Sequence, residues 1–265
     1  MSFRLSTLPY GLNRRLHELA KPFELLQLQE ASQSCAIGFC PRPFRRRFSR
    51  GAAVTIELKD GAVQTRYGRA DDADYVVCEH VLQLYGLTAM HLASDAICWR
   101  KLVLRPPTVT IRGCELSPEF MAQLASVIEG PVRAVTIMDC IGAVDFEALF
   151  KTFPKVAELG IFGDFAKTWT TDILQHQKSP LETLWLDGDF WDDDKLFECE
   201  DFKKLVSAQP PDFLMSLCPS FDPADDIWEI VSQGACPDLL PRDPEVKKVY
   251  IKSVYAGRKD CFLYC

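Results

Sequence analysis

The sequence predicts an α/β fold in which a short helical segment precedes a series of strand–helix units with parallel strands. Three observations support this prediction. A short apolar motif recurs at spacings of 24 and 25 residues in the centre of the chain. Stretches that carry helix-start signals lie between its copies. Leucines near the start of the chain recur at spacings of three and four residues, which is typical of one helix face.

The composition is that of a globular protein: 48% of the 265 residues are hydrophobic and 25% are charged. A chain of this length buries a sizeable core. It has no apolar run of about 18 residues and no secretory apolar stretch near its start, so we expect a cytoplasmic or nuclear protein without a membrane partner. Eleven cysteines are scattered without a CxxC pair. They predict buried thiols, with no metal site and no cofactor.

Charge is distributed unevenly along the chain. Residues 1–50 hold nine basic and three acidic side chains, whereas the whole chain has a net charge of −7. This asymmetry suggests two regions with different partners, and the acidic remainder makes a nucleic-acid partner unlikely. The glycine-rich, nucleophile-elbow and zinc-protease motifs of common enzyme classes are absent from the sequence. We therefore expect a binding protein rather than an enzyme.

Residues 1–40 form the first predicted region, which consists of two short helices. Leu12, Leu16 and Leu19 share one face of the first helix, and Pro22 interrupts the pattern. Helices of this length are marginal on their own. Their apolar face must therefore pack on the rest of the chain or on a partner.

Residues 41–52 form a predicted linker that contains prolines and five arginines between Arg42 and Arg50. Three interpretations of this run stay open. It is a solvated linker, a contact to an acidic partner or substrate, or a patch for nuclear import or RNA contact.

Residues 53–98 form a predicted connector. Alternating apolar residues on both sides of Asp60 and Gly61 predict a β-hairpin over residues 53–67. Residues 71–94 read as helical or mixed, with a core of Val76, Val77, Val81, Leu82 and Leu84.

Residues 99–265 carry the repeated motif, in which the second apolar residue follows the first after a gap of two and the third follows after a gap of one. Copies begin at Trp99, Val132, Val156, Leu181 and Val246. A period of 24 to 26 residues lies in the range of leucine-rich repeats, so we predict an irregular leucine-rich-repeat-like solenoid. An ordinary α/β sheet is the alternative. The predicted buried residues of adjacent parallel strands are Val135, Ile137, Leu159, Ile161, Leu184 and Leu186.

Smaller signals refine the predicted repeat. Ser117 before Pro118, and later Asp145, are typical helix N-caps. Cys114 and Cys140 stand at equivalent places after two strands, where regular repeats carry an asparagine or cysteine ladder.

A candidate target-binding patch is centred on Trp185. This residue lies between Leu184 and Leu186 and should point to the opposite side of its strand. The candidate target-binding residues are Trp185, Asp187, Asp189, Trp191 and Tyr250. Aromatic and acidic side chains suit a basic target segment. The acids of residues 187–201 have two other interpretations, a Mg²⁺ or Ca²⁺ site and a solubilising loop that leads into a helix.

Taken together, the apolar start, the Leu8-Pro9 pair, the spaced leucines and the turn at Pro22 and Glu24 resemble an F-box. The rest of the chain looks like the strand-plus-repeat half of nematode F-box-associated families. The resemblance implies a substrate-recognition adaptor of a cullin–RING ubiquitin ligase. Its adaptor-binding residues, contacting a Skp-family adaptor, would be Leu5, Leu8, Pro9, Leu12, Leu16, Leu19, Leu25 and Leu28. The alternative is an interaction scaffold with a degenerate F-box and no ligase role.

Overall fold

The computed structural model describes residues 53–67, 75–94, 96–97, 99–188 and 199–219. It also describes the three short segments 46–48, 248–251 and 261–264 and the single residues Arg15, Leu19 and Glu24. The strands are β1 (Arg46–Phe48), β2 (Val54–Lys59), β3 (Ala62–Arg66), β4 (Tyr75–Cys78), β5 (Val81–Tyr85), β6 (Leu102–Leu104), β7 (Thr108–Arg112), β8 (Ala134–Met138), β9 (Glu158–Phe162), β10 (Thr183–Gly188), β11 (Leu214–Pro219), β12 (Lys248–Ile251) and β13 (Cys261–Tyr264).

Five named helices lie in the described part of the chain. They are α1 (Ala89–Ala93), α2 (Pro118–Val127), α3 (Phe146–Thr152), α4 (Trp169–His176) and α5 (Cys199–Ser207). The predicted N-caps are confirmed: the Ser117 side chain accepts a hydrogen bond from the backbone N–H of Phe120, and the Asp145 side chain accepts one from that of Ala148. Each helix contacts the next one along the chain, which produces one helical layer.

The main sheet has ten strands in the order β13-β12-β11-β10-β9-β8-β7-β5-β2-β3. The strands from β2 to β12 in this order pair in parallel, and each edge carries an antiparallel strand. The fold is therefore mixed α/β with a mostly parallel sheet, as predicted. The hairpin at Asp60 and Gly61 is also confirmed as β2 and β3. Both turn residues have positive φ, which suits a tight hairpin.

A second, three-stranded parallel sheet has the order β1-β4-β6. It corrects the assignment of Trp99 as the start of a copy in the main sheet, because Leu102–Leu104 pairs with β4 instead. The main sheet takes its next strand from β7, where Val109 and Ile111 are buried. The main sheet also includes strands from the predicted connector, residues 53–98, since β2 and β5 belong to it. The region read as helical or mixed contains the strands β4 and β5 and ends in α1.

The core lies between the main sheet and the helices. The residues predicted to be buried on adjacent parallel strands are all buried there: Val135, Ile137, Leu159, Ile161, Leu184 and Leu186. Large aromatic side chains fill the helix side of the same core. Trp169 on α4 makes edge-on ring contacts with Phe165 and with Phe202 on α5, with centroids 6.4 and 6.5 Å apart.

A repeated turn follows four neighbouring strands. Its first residue has positive φ: Gly86 (66°), Gly113 (61°), Asp139 (50°) and Gly163 (142°). The backbone N–H of each donates to the carbonyl at the end of the next strand, at 2.7–2.9 Å. These bonds fix the register of one unit against the next.

Cys114 and Cys140 follow this turn at equivalent places. The Cys114 thiol accepts a hydrogen bond from the Leu87 backbone N–H at 3.3 Å and donates to the Leu84 carbonyl at 3.7 Å. The Cys140 thiol donates to the Ile111 carbonyl at 3.6 Å. Each thiol thus reaches back to the preceding strand. Burial raises the pKa of Cys114 to about 12 and also raises the pKa of Cys140.

Candidate functional site

The candidate site lies on the outer face of the sheet, which we define as the side opposite the helices. Residues alternate between the two sides of each strand. On β8, β9 and β10 the inward positions are buried, whereas most outward positions are half-buried or exposed. The strand register aligns the outward positions into ladders that run across the sheet.

The central ladder of the outer face begins with polar side chains. Thr55, Gln83, Thr110 and Thr136 are aligned on β2, β5, β7 and β8. The Thr55 hydroxyl donates to the Gln83 side-chain oxygen at 3.1 Å. Small and polar side chains give this part of the outer face no large apolar group.

The same ladder changes character at β9 and β10. Gly160 follows Thr136 in the register and is itself followed by Trp185. A Cβ atom built on Gly160 would lie 3.2 Å from Cε2 of Phe162, 3.6 Å from Cε3 of Trp185 and 3.7 Å from Cγ2 of Thr136. The two aromatic rings therefore converge on the glycine. We call the group of Gly160, Phe162 and Trp185 the platform.

The platform is accessible. Trp185 is 44% exposed, although one edge of its ring approaches Gly160. Phe162 is half-buried, as is Met138, which is aligned with it on β8. Leu214, at an outward position of β11, is also exposed. The outer face thus presents apolar surface where the neighbouring strands present threonines.

Acidic side chains surround the platform. Glu158 is exposed two residues before Gly160 on β9, and Asp187 is aligned with Phe162 on β10. Strands β9 and β10 carry these two acids and no base at their outward positions, and Lys248 on β12 is aligned with Leu214 farther along the ladder of Glu158. On β7, Arg112 forms an ion pair with Asp139, with 3.0 Å between Nε and Oδ2. The two strands that form the platform therefore carry acidic and no basic outward residues.

The structure brings together some of the residues predicted for target binding. Trp185 and Asp187 lie on the outer face of β10. Tyr250 is aligned through Ser216 with Trp185, so it belongs to the same ladder. Asp189 and Trp191 lie outside the described residues.

Sequence reasoning missed Gly160 and Phe162 as parts of the site. The missed signal is the aromatic residue two positions after the glycine, since positions i and i+2 share one side of a strand. The register aligns Trp185 with Gly160 and Asp187 with Phe162, so the two aromatic residues are diagonal neighbours.

The predicted adaptor-binding segment is described at only one of its named residues. Leu19 is helical and 81% exposed. The other predicted adaptor-binding residues lie outside the described residues: Leu5, Leu8, Pro9, Leu12, Leu16, Leu25 and Leu28. Arg15 and Glu24 are also helical and exposed.

A separate groove of about 930 Å³ follows the amino-terminal ends of the sheet strands. Its charges have both signs, with Arg105, Lys155 and Asp212 among its lining residues. Arg133 and Glu182 form an ion pair along it, with 2.8 Å between nitrogen and oxygen. Mixed charge indicates no single ligand class.

Two further properties bear on ligands and on the membrane. Across the described residues, no three His, Cys, Asp or Glu side chains converge as a metal site would require. None of the helices in the described ranges combines the length and the apolar character needed to cross a membrane. Comparisons with protein families, with curated proteins and with solved structures found no significant match to this chain.

Proposed function

We propose that this chain is a substrate-recognition adaptor of a cullin–RING ubiquitin ligase of the F-box type. The outer face of the sheet binds a protein target, and the amino-terminal helical segment binds a Skp-family adaptor. The observation that carries the binding role is Trp185, which is 44% exposed on the outer face and lies diagonally across from the half-buried Phe162. Exposed aromatic side chains are favoured anchors of protein interfaces.

The repeated architecture supports this role. Parallel strands in sequential order, one helical layer and thiols that bridge successive units are the features of an irregular leucine-rich-repeat-like solenoid. Such repeats bind partners through an extended surface rather than a closed pocket. The proposed target is a basic segment. The proposed target-binding residues are Trp185, Asp187, Asp189, Trp191 and Tyr250.

The adaptor-binding role is supported by Leu19. A helical leucine that is 81% exposed leaves apolar surface in contact with water, and its burial against a partner would be favourable in free energy. This exposure fits the amino-terminal segment of a protein that binds a second protein. The resemblance of residues 3–32 to an F-box implies that this partner is a Skp-family adaptor.

The decisive experiment measures binding of the full chain to a purified Skp-family adaptor. Leu19→Asp should weaken binding at least about tenfold, because a carboxylate is buried without a partner at an apolar interface. Met90→Asp is the matched control, since Met90 on α1 is 82% exposed and lies outside the amino-terminal segment. It should change the affinity by less than about twofold.

Two results would contradict the proposal in different ways. Failure of the unaltered chain to bind the adaptor removes the ligase role and favours the scaffold. Equal affinities of the unaltered chain and Leu19→Asp place the adaptor interface elsewhere. Neither result bears on target binding by the outer face.

A further inference from the structure

We infer that Gly160 determines specificity on the outer face, because it allows Phe162 and Trp185 to form a platform that stacks an arginine side chain of the target. This inference rests on the proposal that the outer face binds a protein. It adds the chemical identity of the recognised group and assigns a role to a residue without a side chain.

The backbone conformation does not explain why position 160 is a glycine. Gly160 lies in the middle of β9 with a φ outside the left-handed region, so other residues can adopt its conformation. Glycine weakens a strand interior, because it restricts the unfolded chain least and has no side chain to pack. Threonine occupies the aligned positions of β7 and β8. A β-branched residue at position 160 would therefore suit the sheet better.

The rings of Phe162 and Trp185 do explain why position 160 is a glycine. A Cβ at position 160 would lie 3.2 Å from the Phe162 ring and 3.6 Å from the Trp185 ring. The first distance is tighter than ordinary van der Waals contact, and a larger side chain would occupy the space that both rings now approach. Gly160 thus lets the rings lie close to the sheet instead of being pushed away from it.

The chemistry of the platform selects arginine. A planar guanidinium stacks on aromatic faces and is more weakly hydrated than a lysine ammonium, so it loses less on leaving water. Glu158 and Asp187 flank the platform, and the guanidinium presents five N–H donors to such carboxylates. Neither of the two platform strands, β9 and β10, carries a base at an outward position. Charge and shape therefore agree on one occupant, an arginine of another protein.

The test measures binding of the full chain to three labelled hexapeptides: hexa-arginine, hexa-lysine and hexa-citrulline. Citrulline keeps the shape of arginine but is uncharged. We expect hexa-arginine to bind about threefold or more tighter than hexa-lysine, as one stacked guanidinium would supply. Hexa-citrulline should bind more weakly than both charged peptides.

Gly160→Val is the main variant in this test. It should abolish the preference for arginine over lysine, because the valine methyl groups displace the rings. A cooperative thermal unfolding transition checks that this variant is folded. Thr110→Val is the matched control, because Thr110 lies in the same ladder two strands from Gly160. It should leave the preference unchanged.

Several outcomes would overturn the inference. Equal affinity for hexa-arginine and hexa-lysine in the unaltered chain indicates general attraction to acidic surface. A preference that survives in Gly160→Val places arginine recognition elsewhere. Self-association of the chain that Gly160→Val abolishes identifies a second copy as the occupant. Should Gly160→Val fold poorly, Phe162→Ala replaces it, with the same loss of preference expected.

The inference and the proposed function fail separately. Once a protein that binds the unaltered chain has been identified, its binding is measured for Trp185→Ala and for Gly160→Val. Target binding lost in Trp185→Ala but retained in Gly160→Val rejects the platform and keeps the outer face. Target binding retained in both variants rejects the outer face as the target-binding surface.

Discussion

The two sides of the main sheet are built from the same strands but carry different kinds of residue at aligned positions. On the helix-facing side, Val109, Val135, Leu159, Leu184 and Met215 are aligned and at most 1% exposed. On the outer face, the next residues of the same strands are Thr110, Thr136, Gly160, Trp185 and Ser216. One ladder is uniformly aliphatic, whereas the other changes from hydroxyl to glycine to indole.

This difference separates what folding requires from what it leaves free. The helix-facing ladder must exclude water and fill space, so only side chains of similar shape are acceptable. The outer ladder has no such requirement. Folding therefore does not account for its departure from threonine at β9 and β10, and the proposed binding of a partner would account for it.

The largest effect should come from the helix-facing ladder. Leu184→Ala should lower the free energy of unfolding by about 2–5 kcal/mol, because it leaves a cavity among residues that are fully buried. Leu214→Ala is the matched control on the outer face, where a leucine is partly exposed. Equal losses for the two variants in denaturant unfolding would break the comparison.

Gln209 tests whether the helix-facing side also depends on polar contacts. This buried side chain accepts a hydrogen bond from the Leu181 backbone N–H at 2.7 Å and donates to the Leu205 carbonyl at 3.0 Å. Gln209→Met keeps the volume but leaves both backbone groups unpaired, so it should cost about 1–3 kcal/mol. The exposed Gln123→Met on α2 should cost about 0.5 kcal/mol or less in thermal unfolding. A Gln209→Met chain as stable as the original would refute this role.

Cys114 should make stability depend on alkaline pH. Below pH 9 its thiol is neutral in both folded and unfolded chains. Above its usual pKa of 9.0 the unfolded thiol ionises while the folded one, with a pKa of about 12, stays neutral. Unfolding is therefore favoured as pH rises from 9 to 12, by roughly 1–2 kcal/mol near pH 10.5. The chain with Cys114→Ser should lose less stability over this range in urea titrations, and an identical loss would show that the thiol is not the cause.

The smallest effect on stability should come from Trp185. Trp185→Ala should change the free energy of unfolding by about 1 kcal/mol or less, because the side chain is 44% exposed. A loss comparable to that of Leu184→Ala would mean that the indole supports the fold, and the distinction between the two faces would disappear at this position.

Much of the fold follows from the sequence, because hydrophobic periodicity and helix caps are local signals. Val135 and Ile137 predict a strand by alternation, and Ser117 predicts a helix start by its capping oxygen. Leu102 and Leu104 satisfy the same motif but enter the second sheet. Buried strands of either sheet consist of the same aliphatic residues, so the motif alone does not distinguish the two.

The candidate site was predicted less completely, for a different physical reason. Alternation identifies Trp185 as an outward residue, but the platform depends on which residues of the neighbouring strand are aligned with it. Gly160 contributes by lacking a side chain, and such an absence has no periodic pattern. The convergence of Phe162 and Trp185 becomes apparent only from the register of β9 and β10.

The antiparallel strands at the two edges of the main sheet limit how the chain can assemble. Eight parallel strands would otherwise end in edges that match the next unit of another molecule, and open-ended stacking would lead to fibres. β3 reverses the hydrogen-bond pattern on one edge, and β13 reverses it on the other. The exposed Gln64 and Arg66 add polar and charged groups to β3. Both edges of the parallel repeat are thereby closed by a strand of opposite direction.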